Sequence, residues 1–66
     1  MYDKLFKLRK KKKYTLEEMA RYLEISKSSY YKKEMGEIKI SLVEAKKLAD
    51  FFETSIEELF FNKKVS

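Results

Sequence analysis

The chain has one glycine, Gly36, and no proline among its 66 residues. Glycine and proline form most of the tight turns between β-strands, because glycine adopts positive φ without strain and proline fixes φ at a value that turns use. The shortage of both residues therefore disfavours a fold built from β-hairpins. The sequence predicts a small all-α fold, a bundle of helices with short connections, and residues 1–66 are expected to form a single domain.

The composition also excludes several classes of function. There is no cysteine and no histidine, so disulfides, the common zinc ligand sets and catalysis by histidine or cysteine are excluded. A carboxylate or lysine mechanism is possible in principle, but 66 residues leave little room for a substrate cavity. No apolar run is long enough for a membrane span or for the core of a signal peptide. We therefore expect a cytoplasmic protein that is not an enzyme and that needs no metal, cofactor or small-molecule ligand.

The charge is distributed unevenly along the chain, which has 16 Lys and Arg, 11 Asp and Glu, and a net charge of +5. Residues 1–13 contain seven basic side chains and one acidic side chain, and residues 27–39 are also net basic, whereas the segments 14–26 and 40–62 are net acidic. Such asymmetry is typical of proteins that bind nucleic acids or anionic surfaces. Taken alone, the same charges are equally consistent with a solvated helix face and a soluble tail.

Capping residues mark the starts of four of the five predicted helices. In a capping box, a Ser or Thr and a Glu three residues later satisfy each other's backbone N–H groups at the start of a helix. Three pairs with this spacing each precede an apolar stripe: Thr15–Glu18, Ser41–Glu44 and Ser55–Glu58. Ser26 is a further predicted cap, although no glutamate follows it at the required position.

The apolar stripes predict how far these helices extend. The first helix is predicted over about 2–12, the second over about nine residues after Thr15, and the third over 27–35. Gly36 should end the third helix in a left-handed conformation, which costs glycine little. The fourth helix has an apolar stripe that is expected to face the core: Leu42, Ala45, Leu48, Ala49 and Phe52.

The second and third predicted helices have the spacing of a helix-turn-helix motif, over about 15–35. Ala20 is small enough to let the two helices cross closely, and Ile25 can fill the turn from the core side. Tyr30 is expected to support the third helix from beneath. The opposite side of the third helix is polar, as a surface that reads DNA would be.

With these residues in register, the chain resembles the phage-repressor-like (XRE) helix-turn-helix family from Leu5 to Phe60. The matching runs are Leu8-Arg9, Thr15 to Ala20, Ile25-Ser26, Glu34 to Gly36, Ser41-Leu42 and Ser55 to Phe60. The resemblance implies a compact five-helix bundle of the lambda-repressor type. It also implies a regulator of transcription that binds operator DNA in the major groove, usually as a two-fold dimer.

The resemblance assigns roles to individual side chains as well. The base-reading positions of the third helix fall on Lys27, Ser28, Tyr31 and Lys32. Lysine can donate to guanine O6 and N7, and a tyrosine ring can contact a thymine methyl group. The positions expected to bind phosphate, around the start of the second helix and after the third, are Lys12, Lys13, Thr15 and Lys39. Arg9 and Glu34 match a partly buried ion pair between the first and third helices.

The sequence departs from the family pattern at several positions. Lys13, Glu24 and Glu53 stand where the family often has glycine, so a left-handed conformation at these residues would be strained. Leu16 replaces a residue that is often polar, and we expect it to pack in the core. Lys33 stands where an apolar or aromatic residue usually packs, so its stem is expected to follow the core edge with its ammonium in water.

Four apolar residues near the C-terminus exceed what the core needs and are predicted to form a dimer interface: Phe51, Phe60, Phe61 and Val65. A two-fold dimer would place the two third helices about 34 Å apart, which matches half-sites one helical turn apart on a near-palindromic operator. The alternative is that Phe61 and Val65 cover the core of the monomer.

The predicted function is that of a sequence-specific regulator of transcription, a repressor of the phage or mobile-element type. Two alternatives remain open. One is an antitoxin, or another protein-interaction module, in which DNA binding is an accessory activity. The other is a basic helix that binds a membrane surface through Lys10–Lys13, although this segment lacks the apolar face that interfacial binding needs.

Overall fold

The computed structural model describes residues 1–61, which form five α-helices and no strand. The helices are α1 (Asp3–Lys11), α2 (Leu16–Leu23), α3 (Lys27–Met35), α4 (Leu42–Phe51) and α5 (Ile56–Phe60). The predicted all-α fold is confirmed for this part of the chain, and α3 has the predicted bounds. α1 is one residue shorter at each end than predicted, because Tyr2 is extended and Lys12 is the residue that ends the helix.

One core is shared by all five helices. The residue that each helix buries most completely is, in chain order, Leu5, Met19, Tyr30, Leu48 and Leu59. Ala20 is also buried, as expected for a small residue at the contact between α2 and α3. Leu16 and Ile25 are partly buried and pack against this core. Because every helix contributes to the same apolar cluster, the relative positions of α2 and α3 are fixed by the rest of the bundle.

Two of the three predicted capping boxes are complete. At the start of α2, the Glu18 N–H donates to Thr15 Oγ1 at 3.0 Å and the Thr15 N–H donates to Glu18 Oε1 at 2.8 Å. Ser41 and Glu44 form the same pair of bonds at the start of α4, at 2.9 and 3.1 Å. These four hydrogen bonds define where α2 and α4 begin.

The prediction of a third complete capping box is wrong. Ser55 Oγ accepts the Glu58 N–H at 3.0 Å, as in a capping box. The Glu58 carboxylate, however, lies 3.5 Å from the ammonium of Lys4 on α1. The side chain that would complete the box is thus directed toward a neighbouring helix.

Four helix ends use the same left-handed connection, and glycine occupies only one of them. Positive φ values occur at Lys13 (65°), Glu24 (61°), Gly36 (83°) and Glu53 (55°). In each case the N–H of the next residue donates to the carbonyl five positions earlier in the chain, at 2.8 to 3.0 Å. This bond satisfies a carbonyl that the end of the helix would otherwise leave without a partner. The three non-glycine residues are the ones that stand at frequent glycine positions of the family pattern.

The predicted inner stripe of α4 is wrong at its first residue. Leu42 is 76% exposed, whereas Ala45, Leu48, Ala49 and Phe52 are buried as predicted. Leu42 is the first residue of α4, and side chains on a helix lean toward its N-terminus. The Leu42 side chain consequently lies beyond the edge of the core.

We predict that Glu24→Gly stabilises the fold. Relief of the left-handed strain should raise the free energy of unfolding by about 1 kcal/mol, which corresponds to about 4–8 °C in the melting temperature of a domain of this size. The matched control is Glu17→Gly, which removes the same charge and side chain within the first turn of the same helix. This control should lose about 1 kcal/mol because glycine is a poor helix former. Equal losses in both variants, measured by thermal melts, would show that Glu24 is not strained.

Candidate nucleic-acid interface

α3 presents one exposed polar stripe. Its members are the four residues predicted to read bases: Lys27, Ser28, Tyr31 and Lys32. Their spacing of i, i+1, i+4 and i+5 places them on one side of a helix. Tyr30 and Glu34, on the other side of α3, are fully buried. The structure therefore brings these four side chains together on a single exposed surface.

The electrostatics of α3 differ from those of the other helices. Of the five described helices, α3 is the one without an acidic residue in its first turn, and it is capped by Ser26, whose Oγ accepts the Ser29 N–H at 3.1 Å. Its last turn contains Lys32 and Lys33. At the start of α3, no carboxylate in the first turn offsets the positive end of the helix dipole. A helix start of this kind is favourable for binding phosphate.

A buried network of hydrogen bonds fixes α3 to α1. Arg9 donates from Nε to Oε2 of Glu34 at 2.9 Å and from Nη2 to Oε1 at 3.0 Å, in bidentate geometry. The third Arg9 nitrogen, Nη1, donates to the carbonyl of Tyr14 at 3.0 Å. Glu34 is fully buried and Arg9 almost so. This network ties α3 to α1 and to the segment that leads into α2.

Tyr30 completes the network. Its hydroxyl donates to Oε2 of Glu34 at 2.8 Å. Burial, together with the neighbouring Glu34 carboxylate that accepts this bond, holds the pKa of Tyr30 above its usual range, although Arg9 acts in the opposite direction. The Tyr30 hydroxyl therefore remains protonated and donates this bond. This bond was not predicted, but the i, i+4 spacing of Tyr30 and Glu34 on a helix is a signal that could have found it.

The residues predicted to bind phosphate are all exposed: Lys12, Lys13, Thr15 and Lys39. The first three precede α2, and Lys39 lies between α3 and α4. The Thr15 hydroxyl and N–H are both engaged by Glu18 in the capping box, which leaves the N–H groups of Leu16 and Glu17 without partners within the helix. The Thr15 hydroxyl is therefore not free to contact a phosphate, and the first turn of α2 also contains the carboxylates of Glu17 and Glu18.

Comparison with known families agrees with this geometry. A family model described as helix-turn-helix matches residues 5–59. The chain belongs to the XRE-type helix-turn-helix family. Members of this family are DNA-binding regulators and are not typically enzymes. No curated protein and no solved structure is significantly similar to the chain. Among the described residues, no helix has the length and apolar character needed to cross a bilayer.

In this XRE-type domain, the expectation that the Lys33 ammonium lies in water is wrong. Its Nζ lies 3.0 Å from Glu44 Oε1 and donates to the carbonyl of Lys39 at 2.9 Å. Partial burial acts to raise the pKa of Glu44, but the Ser41 N–H and the Lys33 ammonium outweigh it, so that the pKa of Glu44 is below its usual value. The capping box places this carboxylate at the start of α4, within reach of Lys33.

Among the described residues that were predicted to form a dimer interface, the structure sets Phe51 apart from Phe60 and Phe61. Phe51 is partly buried, with its ring centroid 4.8 Å from that of Tyr14 and 4.6 Å from that of Tyr22. Phe60 is also partly buried, and its ring meets that of Tyr2 edge-on at 5.2 Å. The apolar surfaces of Phe51 and Phe60 are thus partly covered within the monomer. Phe61 is 66% exposed, and Val65 lies outside the described residues.

Phe61 lines an apolar groove between α4 and α5, which we call the α4–α5 groove. The groove is lined by Tyr2, Ile40, Leu42, Ala45, Ile56, Phe60 and Phe61. Val43, which is 65% exposed, continues this apolar surface next to Leu42 and Ile56. The contribution of Leu42 and Val43 was not predicted, because the sequence does not reveal that the first turn of α4 extends past the core.

We predict that the buried network stabilises the fold far more than an exposed ion pair of similar length. Arg9→Met should lower the free energy of unfolding by about 3–5 kcal/mol, because it leaves the Glu34 charge buried and uncompensated. Replacing both partners, in Arg9→Met/Glu34→Leu, should cost less than Arg9→Met alone. Both effects can be measured by urea denaturation followed by circular dichroism.

The matched control for Arg9→Met is Lys46→Met, which breaks the exposed Lys46–Asp50 pair at 2.7 Å. An exposed pair of this kind contributes about 0.3–0.5 kcal/mol. If Arg9→Met costs no more than the control, the network does not hold the bundle together.

Proposed function

We propose that this protein is a sequence-specific regulator of transcription that binds double-stranded DNA as a homodimer and acts as a repressor of the phage or mobile-element type. In this proposal the whole chain is one DNA-binding domain, with its helix-turn-helix over about 15–35, and it acts in the cytoplasm on a near-palindromic operator. Regulation would then come from dimerisation, concentration or another protein rather than from a small-molecule ligand.

The observation that carries the proposal is the stripe of Lys27, Ser28, Tyr31 and Lys32 on a helix whose other side is anchored in the core. Two lysines, a hydroxyl and an aromatic ring can each contact base edges in the major groove. Their register is fixed by buried Tyr30 and Glu34 on the opposite side of the helix. A rigid helix with a polar outer face is what direct reading of bases requires.

Contacts with the phosphates of the DNA backbone complete the proposed interface, from residues that precede and follow α3 in the sequence. Lys12 and Lys13 precede α2, and Lys39 follows α3; all three side chains are exposed. Phosphate contacts position a protein on DNA without carrying sequence information. We assign these lysines to that role and α3 to base reading.

The α4–α5 groove is the proposed dimer surface, in place of the predicted set that included Phe51. Leu42, Val43 and Phe61 are each at least 65% exposed and lie next to one another around Ile56. Exposed apolar surface of this kind is typical of protein contacts. No residue of the α3 stripe lines this surface, so a dimer formed through it leaves the stripe open to DNA.

We predict that selection of bound DNA in vitro, at a stated salt concentration, recovers an inverted repeat. Lys32→Ala should change the consensus at defined positions of each half-site, because a good base contact discriminates by about 1–3 kcal/mol. The matched control, Lys12→Ala, should leave the consensus unchanged and weaken binding to all sequences. It should also reduce the slope of log affinity against log salt by about 0.9 for each subunit, or about 1.8 for the dimer. The absence of any enriched sequence would exclude a specific regulator.

We predict that Leu42→Glu and Phe61→Glu each convert the free protein from dimer to monomer in sedimentation velocity, because each places a charge in a desolvated contact. The matched control is Tyr31→Glu, which adds the same charge at an exposed aromatic residue on α3 and should leave the dimer intact. Dimeric Leu42→Glu would contradict the assignment of the surface. A wild-type chain that is monomeric at every concentration would exclude the homodimer and favour a different protein partner, such as a toxin.

A further inference from the structure

The Lys33 ammonium connects the end of α3 to the start of α4. It lies 3.0 Å from Glu44 Oε1 and donates to the Lys39 carbonyl at 2.9 Å. The Lys33 and Glu44 side chains are only 14% and 20% exposed. A lysine that is largely removed from solvent in this way has its charge compensated locally, so it is poorly placed to bind a phosphate directly.

The Glu44 carboxylate is itself held in place by the start of α4. Glu44 Oε1 also accepts the Ser41 N–H at 2.9 Å, and the Glu44 N–H donates to Ser41 Oγ at 3.1 Å. The beginning of the connection, residues 36–41, is held by the Lys32 carbonyl, which accepts the Glu37 N–H at 2.8 Å. The start of the connection is thus fixed to α3 at Glu37, and Lys33 fixes the later part at Lys39.

The residue whose backbone is held by Lys33 is Lys39, whose side chain is exposed. In the proposed function, Lys39 contacts a phosphate beside the groove that α3 enters. A phosphate contact requires the lysine to be presented at a definite place relative to α3, since an unconstrained connection loses backbone conformational entropy when its lysine binds. Fixing the Lys39 backbone reduces that loss.

We propose that Lys33 is a positioning residue for DNA binding: with Glu44 it forms a clamp that holds the 36–41 connection so that Lys39 meets the DNA backbone. The proposal rests on the proposed DNA-binding function. Neither Lys33 nor Glu44 touches DNA in this arrangement, and the contact is made by Lys39.

The most discriminating test uses Glu44→Gln, because two explanations predict opposite changes in the affinity for DNA. Simple electrostatics predicts that removing a negative charge strengthens binding to DNA. The clamp predicts several-fold weaker binding, because the ion pair with Lys33 is lost. The matched control is Glu37→Gln, an exposed glutamate in the same connection, which should bind DNA at least as tightly as wild type. Affinities are measured on a short duplex of mixed sequence, at a temperature where circular dichroism shows all variants folded.

A double-mutant cycle of Lys33→Met, Lys39→Met and the double variant adds a second measurement, the salt dependence of DNA binding. A purely structural role of Lys33 would leave this salt dependence unchanged. For each bound subunit, Lys39→Met should reduce the slope of log affinity against log salt by about 0.9. Lys33→Met should reduce the slope by a similar amount, and the double variant should be no worse than Lys39→Met. Additive slopes, with a loss of about 1.8 for each bound subunit in the double variant, would mean that Lys33 binds its own phosphate and would overturn the proposal.

Two further outcomes also overturn the clamp. One is tighter binding of Glu44→Gln, equal to that of Glu37→Gln. The other is a Lys33→Met variant that is less stable but has an unchanged salt slope, which would make Lys33 a structural residue only. Failure of the proposed function is a different result, because the wild-type chain would then not bind the duplex at any salt concentration.

Discussion

The Glu34 carboxylate is the group on which the arrangement of the proposed DNA-binding surface depends. It is fully buried and accepts three hydrogen bonds, two from Arg9 and one from Tyr30. A buried charge is tolerated only when its partners are in place, so α1 and α3 can adopt only one relative position and one rotation. With Tyr30 and Glu34 facing inward, the other side of α3 must face outward. The buried hydrogen bonds of Glu34 thus determine which way the polar stripe on α3 faces.

The ends of the helices are satisfied by a small set of repeated devices. Capping boxes begin α2 and α4, and a left-handed residue followed by a hydrogen bond to the carbonyl five positions earlier ends four of the helices. Short connections leave few other groups that could satisfy these carbonyls. The chain therefore adopts the left-handed conformation even where its residue is lysine or glutamate. Glycine makes this conformation easier but is not required for it.

Much of the fold could be predicted from the sequence because its signals are local. Ser26 and Gly36 enclose α3, and both complete capping boxes lie within four consecutive residues. The Lys33–Glu44 pair could not be predicted, because it joins residues on two helices across an irregular connection. The exposure of Leu42 depends on where α4 passes the edge of the core, which a stripe of apolar residues does not reveal. The direction of the Glu58 side chain could not be predicted either, because it depends on Lys4 on the neighbouring helix α1.

α3 is held at both ends and along its inner face before any DNA is present. Ser26 caps its start, the Lys32 carbonyl and Lys33 hold the connection that follows it, and Glu34 is locked beneath it. A helix of this kind gains little additional order when it enters a groove. Association should therefore lack the large negative heat-capacity change of coupled folding and binding. Release of counterions from the DNA then remains as the main source of favourable entropy.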